Sequence, residues 1–507
     1  MGILPTWGDK VTVKNGAGPL IFNNETRAYT YGHFLGTRYK NKRNIIWILG
    51  GDRNGGGDYK RIWRAMAEGI ADGVNGINKQ DGKAHYSTTC MTYHPENGNI
   101  SNIWFRYDDW LDFHSYQSGH ALYNEANNYN IPSRNYDKAP VKPIIDIEPN
   151  YEDHPVAWNP SNGWFNDYDV RKTAYWTVFS GCAGYTYGAH GIWQMFSPGQ
   201  APISSCRTYW YDSLDFPGAF QMVHLKNLML SRPYFSRIPD QNIIDSEGEG
   251  GNRVQAARST DGAYALVYFP KATQSHIIKA GKLSGSKINA WWYNPRDGKC
   301  YTQDGRETAK PFETFAKADR SFDPPGTDEN TDWILVLDDS FKGFTIPGKL
   351  PAKVEIDNSK PLPVNPKSAD NPDPTILDRD KWDVAAMYNG SESEFAIDAN
   401  ESTEWYSINK MKNGMWFRVD LGSVQDFDKI ELKNSPDSKN YPKSYEVYVS
   451  NNGVDWVNKI ANGTGSPVTI INFTPRKARY IRIVQTGKDK DNEWRIGELY
   501  IYNTKAG

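Results

Sequence analysis

From residue 1 to about 240, short apolar runs alternate with longer amphipathic stretches, the pattern of repeated β/α units. Six runs read as strands: Ile3–Trp7, Asn44–Gly50, Tyr86–Tyr93, Leu111–Tyr116, Pro143–Ile147 and Gly184–Gly188. The second and fifth are almost continuously apolar, as strands covered on both faces are. Between the runs, Glu25–Tyr39, Tyr59–Ile77, Ala121–Tyr129 and Tyr168–Ser180 have the lengths of crossover helices, and Ile62, Met66 and Ile70 recur at helical spacing.

Beyond about residue 240 the pattern changes to short β runs and turns, including Ala263–Phe269, Ala290–Tyr293 and Trp333–Leu337. Prolines from Pro347 to Pro374 then remove too many N–H donors for a helix or a sheet interior, which predicts a semi-extended linker. Met415–Leu421, Ser444–Val449 and Ala478–Val484 alternate with a period of two, the mark of half-buried antiparallel strands. The expected organisation is a β/α domain over 1–240, a β-sandwich over 241–345, a linker over 346–375 and a second β-sandwich over 376–507.

Polar and aromatic side chains collect just after the first-domain strands: Trp7 and Asp9, Asp52 and Arg53, His94, Tyr116 and Gln117, Glu148, and His190. In a (β/α)8 barrel that edge is the active-site face. A closed barrel needs eight strands and six are visible, so the expectation is a TIM barrel lacking about its first two β/α units.

Composition narrows the partner. Lys+Arg 58 against Asp+Glu 60 gives a net charge of −2, which argues against nucleic acid. No run approaches the ~18 apolar residues of a membrane span, and no membrane insertion is expected. The first residues contain no basic segment followed by an apolar one, so no signal peptide is read there. Cys90, Cys182, Cys206 and Cys300 are too sparse for a disulfide scaffold and lack zinc-site spacing. The 18 Trp and 31 Tyr suit surfaces that are partly apolar and partly wet, the character of a sugar.

Asp52 follows its strand through Gly50-Gly51, and Glu148 ends Ile145-Asp-Ile-Glu148. Cleaving a glycosidic bond calls for one carboxyl that protonates the leaving oxygen and one carboxylate that attacks carbon or activates water. Arg53 stands beside the first acid, where it is expected to hold a substrate hydroxyl or tune ionisation. Trp7, Tyr116, Tyr151, Tyr187 and Trp193 are candidates to stack on sugar rings. His94, His114, His120, His154 and His190 lack the two-histidine helical spacing of a zinc protease and read as hydroxyl-binding groups, so no catalytic cofactor is expected. No Gly-x-Ser-x-Gly elbow supports an esterase.

Leu4-Pro-Thr-Trp-Gly-Asp-Lys10, Asn44-Ile-Ile-Trp-Ile-Leu-Gly-Gly-Asp-Arg-Asn54, Ser115-Tyr-Gln-Ser-Gly-His120 and Asp146-Ile-Glu-Pro149 together resemble the apiosidase-like glycoside hydrolases, family GH140 and its DUF4038 relatives. The resemblance covers about residues 1–240 and implies a (β/α)8 barrel with a retaining carboxylate pair, Asp52 as acid/base and Glu148 as nucleophile. From their place near the strand ends, Trp7, Asp9, Arg53, His94, Tyr116, Gln117, Tyr151 and His190 are the expected substrate contacts. The middle domain is similar to the β-sandwich, labelled collagen-binding, that commonly follows these barrels, and is expected to be a packing module.

Residues 376–507 resemble a discoidin or F5/8 type C domain, through Ala396-Ile-Asp-Ala-Asn400 with Thr403 and Trp405, Trp416-Phe-Arg-Val-Asp-Leu-Gly422 and Ala478-Arg-Tyr-Ile-Arg-Ile483. In glycosidases such a domain resembles carbohydrate-binding family CBM32. The resemblance implies a structural Ca²⁺ at Asp398, Asn400, Thr403 and Glu498, and sugar binding at end loops near Tyr441, Trp494 or Arg495.

The expected protein is thus a secreted or periplasmic glycoside hydrolase acting on plant polysaccharide side chains, with a C-terminal module that keeps it near substrate by effective concentration. The alternative is a non-catalytic polysaccharide-binding protein whose truncated barrel is inert.

Overall fold

Parallel strands β1 (Gly2–Ile3), β2 (Ile46–Gly50) and β3 (Met91–His94) form a sheet in that order, joined by helices α1 (Glu25–Tyr39) and α2 (Tyr59–Asn75). A second three-stranded sheet has the order β4 (His114–Tyr116), β5 (Ile144–Asp146) and β6 (Gly184–Tyr185). The computed structural model describes residues 1–12, 19–121, 125–351, 373–379, 381–401 and 403–505. Most of the expected proline-rich linker, 346–375, lies outside them. The described chain forms two compact units, one of residues 1–96, 100–114 and 368–507, the other of 97–99 and 115–367.

All six apolar runs overlap a strand, the first only at Ile3, and α1 and α2 start where the pattern places them. The two helices lie unusually close because each presents glycines to the other's backbone. A Cβ on Gly36 would sit 2.2 Å from the Ile70 carbonyl oxygen, and one on Gly69 2.2 Å from that of Tyr29. The short helix α3 (Asn102–Phe105) follows β3.

The helix expected over Ala121–Tyr129 is displaced: residues 122–124 lie outside the described set, and α4 spans Asn127–Asn135 with Pro132 inside it. Pro132 has no N–H for the Asn128 carbonyl four residues back. The Tyr116 hydroxyl donates to that carbonyl at 3.4 Å instead. Helices α5 (Asp167–Phe179), α6 (His190–Trp193) and α7 (Pro217–Leu230) complete this part of the second unit.

An antiparallel sheet follows, with strands β7 (Arg237–Pro239), β8 (Gln255–Ser259), β9 (Tyr264–Phe269), β11 (Lys287–Asn294), β12 (Lys299–Tyr301), β13 (Glu313–Ala316) and β15 (Trp333–Asp339); β10 (His276–Ile278) pairs separately with β14 (Arg320–Phe322). The sheet begins at Arg237, four residues before the expected boundary at 241. Every residue of β15 is buried, because Trp333, Leu335 and Leu337 face one core while Ile334 and Val336 face another that includes Trp176 of α5 and Leu228 of α7. Arg171 of α5 fixes the second contact through two hydrogen bonds to buried Asp332, at 2.8 and 2.9 Å.

In the first unit, β16 (Asp383–Ala386), β18 (Met415–Lys433), β21 (Val468–Gln485), β19 (Tyr445–Ser450) and β20 (Asn458–Gly463) form one sheet, with β23 (Glu498–Tyr502) also paired to β18. β17 (Trp405–Lys410) pairs with β22 (Glu493–Ile496), and Trp405, Phe417, Val447, Ile483 and Trp494 share the core between. This domain is docked on the N-terminal elements of its unit, beyond the tethering expected from sequence. Buried Lys60 of α2 pairs with Asp383 at 2.7 Å and Glu394 at 2.8 Å, and Phe395 packs on the core that contains Trp63 and Trp104.

Candidate active site

In the first unit, β2 ends at Gly50 and the chain turns through Gly51 (φ 116°) into Asp52, itself left-handed at φ 50°. No side chain fits at Gly51: its Cβ would meet the Trp7 indole at 2.8 Å. The Gly51 N–H donates to the His94 carbonyl at 2.9 Å, and the Gly8 N–H donates to the Gly51 carbonyl at 3.2 Å. Trp7, Asp52 and His94 are thereby brought together at the ends of β1, β2 and β3, with the Trp7 and His94 rings 5.6 Å apart. A left-handed non-glycine residue stores backbone strain of the kind that clusters at functional sites.

Arg53 does not extend as a substrate ligand. Its guanidinium turns back, donating to the Asp52 carbonyl at 2.6 Å and the Thr12 carbonyl at 3.3 Å, while Tyr93 donates to the Arg53 carbonyl at 2.8 Å. It braces the turn that presents Asp52. Asp9 forms an ion pair with its neighbour Lys10 at 2.6 Å.

In the second unit, Glu148 lies two residues beyond β5 and is nearly buried; its Oε1 is 3.0 Å from His120 Nε2. His120 stacks on His154 at 4.8 Å and lies 4.5 Å from the Tyr151 ring; His154 in turn meets His190 edge-on at 4.4 Å. Burial and the neighbouring imidazoles pull His154 down to about 3, so it is neutral near pH 7. Asp146, fully buried on β5, is pushed up to about 7 by desolvation. Asp153, Ala157 and Trp158 in the following loop all have positive φ.

Two further expectations are corrected. Tyr116 is fully buried, with its hydroxyl on Asn128 and 3.3 Å from Thr177 Oγ1, so it supports α4 and α5 rather than a sugar. His190 is also fully buried, and both ring nitrogens are engaged, one accepting from Trp193 Nε1 at 3.0 Å and the other 3.1 Å from the Ser204 carbonyl. Gln117 is buried too, but its Oε1 has no partner among the described residues, which leaves an acceptor for a ligand or water.

Sequence reasoning named His120 and His154 without ranking them above the other histidines. His120, at Ser-Gly-His120, is distinguishable only once the fold sets it against Glu148. Glu152, which accepts from Tyr187 at 2.6 Å, was missed, because a lone acid after a proline turn gives no signal.

The C-terminal residues expected to hold Ca²⁺ do converge. Thr403 Oγ1 lies 2.9 Å from Asp398 Oδ2 and 2.8 Å from the Asn400 carbonyl, and the Asn400 N–H donates to Glu498 at 2.9 Å. These are hard oxygen donors of the right type. Arg379, paired with Glu498 at 2.5 Å, already neutralises one of them. The end-loop sugar candidates are corrected: Trp494 is fully buried against Trp405, and Arg495 is paired with Glu493 and Glu404.

A sequence model described as the catalytic domain of apiosidase-like proteins matches residues 1–236, one for a collagen-binding-like domain of a collagenase matches 238–338, and the F5/8 type C domain matches 383–499. A solved glycoside hydrolase family 5 protein from Bacteroides vulgatus is 34% identical, covering 69% of this chain and 73% of its own, with a TM-score of 0.59. The chain belongs to the glycoside hydrolases. A second structure titled as a glycoside hydrolase is 33% identical over 67% of this chain and 73% of its own, with a TM-score of 0.58. Galactose oxidase of Gibberella zeae is 24% identical over 144 residues, 26% of this chain, and the chain spans only 21% of that protein.

Proposed function

We propose that the protein hydrolyses O-glycosidic bonds, with Asp52 as acid/base and Glu148 as nucleophile. One observation supports this most: each acid stands two residues beyond the end of a parallel strand, Asp52 after Gly50 and Glu148 after Asp146. Catalytic residues of (β/α)8 enzymes occupy that edge.

In this reading Asp52 protonates the leaving oxygen while Glu148 attacks the anomeric carbon, forming a glycosyl ester. Asp52 then takes a proton from water, which displaces Glu148. His120 holds the attacking carboxylate in one orientation. Trp7 offers an apolar face for a sugar ring with His94 beside it, and Asp9, Gln117 and Tyr151 are the further polar groups assigned to the substrate. The substrate is an apiose-bearing or similar plant side chain, met outside the cytoplasm or in the periplasm.

Asp52→Asn and Glu148→Gln are each expected to lower turnover of an activated glycoside by at least about a thousandfold while leaving thermal unfolding nearly unchanged. Retained activity in either variant removes that residue from the mechanism. Sugar binding with no hydrolysis by the wild-type chain would favour the non-catalytic alternative.

We further propose that Asp398, Asn400, Thr403 and Glu498 hold a structural Ca²⁺ in the C-terminal domain. Millimolar Ca²⁺ is then expected to raise the unfolding temperature and Asp398→Ala to abolish that rise. An unfolding temperature that ignores Ca²⁺ would rule the site out.

A further inference from the structure

On the C-terminal sheet, Met415, Phe417 and Val419 of β18 and Ile481 and Ile483 of β21 point into the core, so Trp416, Arg418, Asp420, Tyr480 and Arg482 form the outer face. Arg418 and Arg482 stand directly opposite each other in the β18–β21 register. Their other cross-strand neighbours are Ala385 and Tyr448, so no carboxylate faces either arginine. Like charges so placed destabilise a sheet.

The acids on this face are all engaged elsewhere. Asp420 accepts from Arg479 at 2.8 and 3.0 Å, Glu446 takes Tyr448 at 2.6 Å and Lys459 at 3.1 Å, and Asp383 takes Lys60 at 2.7 Å and Arg64 at 3.2 Å. Among the described residues neither Arg418 nor Arg482 has an ion pair, and the Nε of each is buried without a hydrogen-bond partner. Arg482 lies 4.0 Å over the Trp456 ring and 5.2 Å over that of Trp416, which fixes its plane. Burial and Arg418 together push its guanidinium down from its usual range, so the pair is under electrostatic stress.

We propose that Arg418 and Arg482 form a binding site for an acidic saccharide, bridging its carboxylate or sulfate group between two guanidinium planes, with Trp416 and Trp456 flanking the sugar ring. Oriented guanidinium donors match such oxyanions in geometry as well as charge, and indole faces pack on the apolar face of a sugar. The charge pair that weakens the empty sheet is what an anion would relieve. The saccharide character of the ligand rests on the glycoside hydrolase reading; the anion site itself does not.

The test titrates the full chain calorimetrically with oligogalacturonate, a sulfated oligosaccharide and a neutral oligosaccharide of equal length. Oligogalacturonate, the sulfated sugar or both should bind, weakening as salt rises, and the neutral one should not. Whichever anion binds identifies the anchoring group. Arg418→Gln and Arg482→Gln should each weaken binding about tenfold or more, and Arg418→Gln should raise the unfolding temperature by removing the repulsion. Arg418→Lys, which keeps charge and loses the planar fork, should fall between. Equal binding of acidic and neutral sugars, or unchanged affinity in both glutamine variants, overturns the proposal. Asp52→Asn is expected to remove hydrolysis and leave this binding intact, which separates failure of the catalytic reading from failure of the anion site.

Discussion

Asp146 and His154 are buried groups whose protonation opposes each other's effect on stability. Asp146 titrates at about 7 in the folded chain, because burial disfavours its charge. An unfolded Asp titrates near ~3.9. Between those values the unfolded chain loses the proton first, so the contribution of Asp146 is full below about pH 4 and is lost as pH rises to about 7. His154 titrates at about 3 when folded, against ~6.5 when unfolded. Its contribution is full above about pH 6.5 and is lost as pH falls toward 3. Over the shared window the two slopes oppose each other and the wild-type curve should be flat. Relative to wild type, Asp146→Asn should therefore gain more unfolding temperature at pH 8 than at pH 4, and His154→Gln more at pH 4 than at pH 8. Parallel wild-type and variant curves would show that neither group titrates as described. At this scale the strand-end acids were legible, since an apolar run followed by Gly-Gly-Asp or Asp-Ile-Glu marks its own end. The inward turn of Arg53 and the burial of Tyr116 and His190 were not, because sequence distance from a strand end says nothing about which way a side chain points.

Among the elements, the strands of the first 240 residues and helices α1 and α2 were visible in periodicity alone, and α4 was not. A pattern reading stops a helix before proline, whereas α4 continues because Tyr116, on a separate strand, supplies the hydrogen bond that Pro132 cannot. That compensation is tertiary and leaves no local mark. The reverse holds for β15, whose uninterrupted Trp333-Ile-Leu-Val-Leu337 announces a strand covered on both faces. Ile334 and Leu335 point to opposite cores, so Ile334→Ala and Leu335→Ala should each cost about 2–5 kcal/mol in chemical denaturation. A strand with one wet face would tolerate one of the two, and a small loss in either variant would contradict the two-sided packing.

At the scale of the whole molecule, the chain's ends meet within one unit, which a linear reading does not foresee. The proline-rich segment suggested a tethered C-terminal domain, yet Gly56 leaves no room for a side chain, since a Cβ there would lie 2.1 Å from Glu394 Oε2 and 2.7 Å from the Ser391 carbonyl. Lys60 is buried between Asp383 and Glu394, and Arg64 joins Asp383 to Asp108. Two residues 334 positions apart are invisible to one another in sequence unless one asks why α2 buries a lysine. Breaking a buried ion pair outright typically costs about 3–5 kcal/mol, and removing Glu394 costs less than that because Asp383 still stands 2.7 Å from Lys60. Glu394→Ala should therefore lower the unfolding temperature and loosen both sides of the contact together. Amide exchange should rise at residues 54–66 as well as at 383–397. A domain attached only by its tether would respond on its own side alone, so unchanged exchange at residues 54–66 would return the C-terminal domain to the role of a mobile anchor.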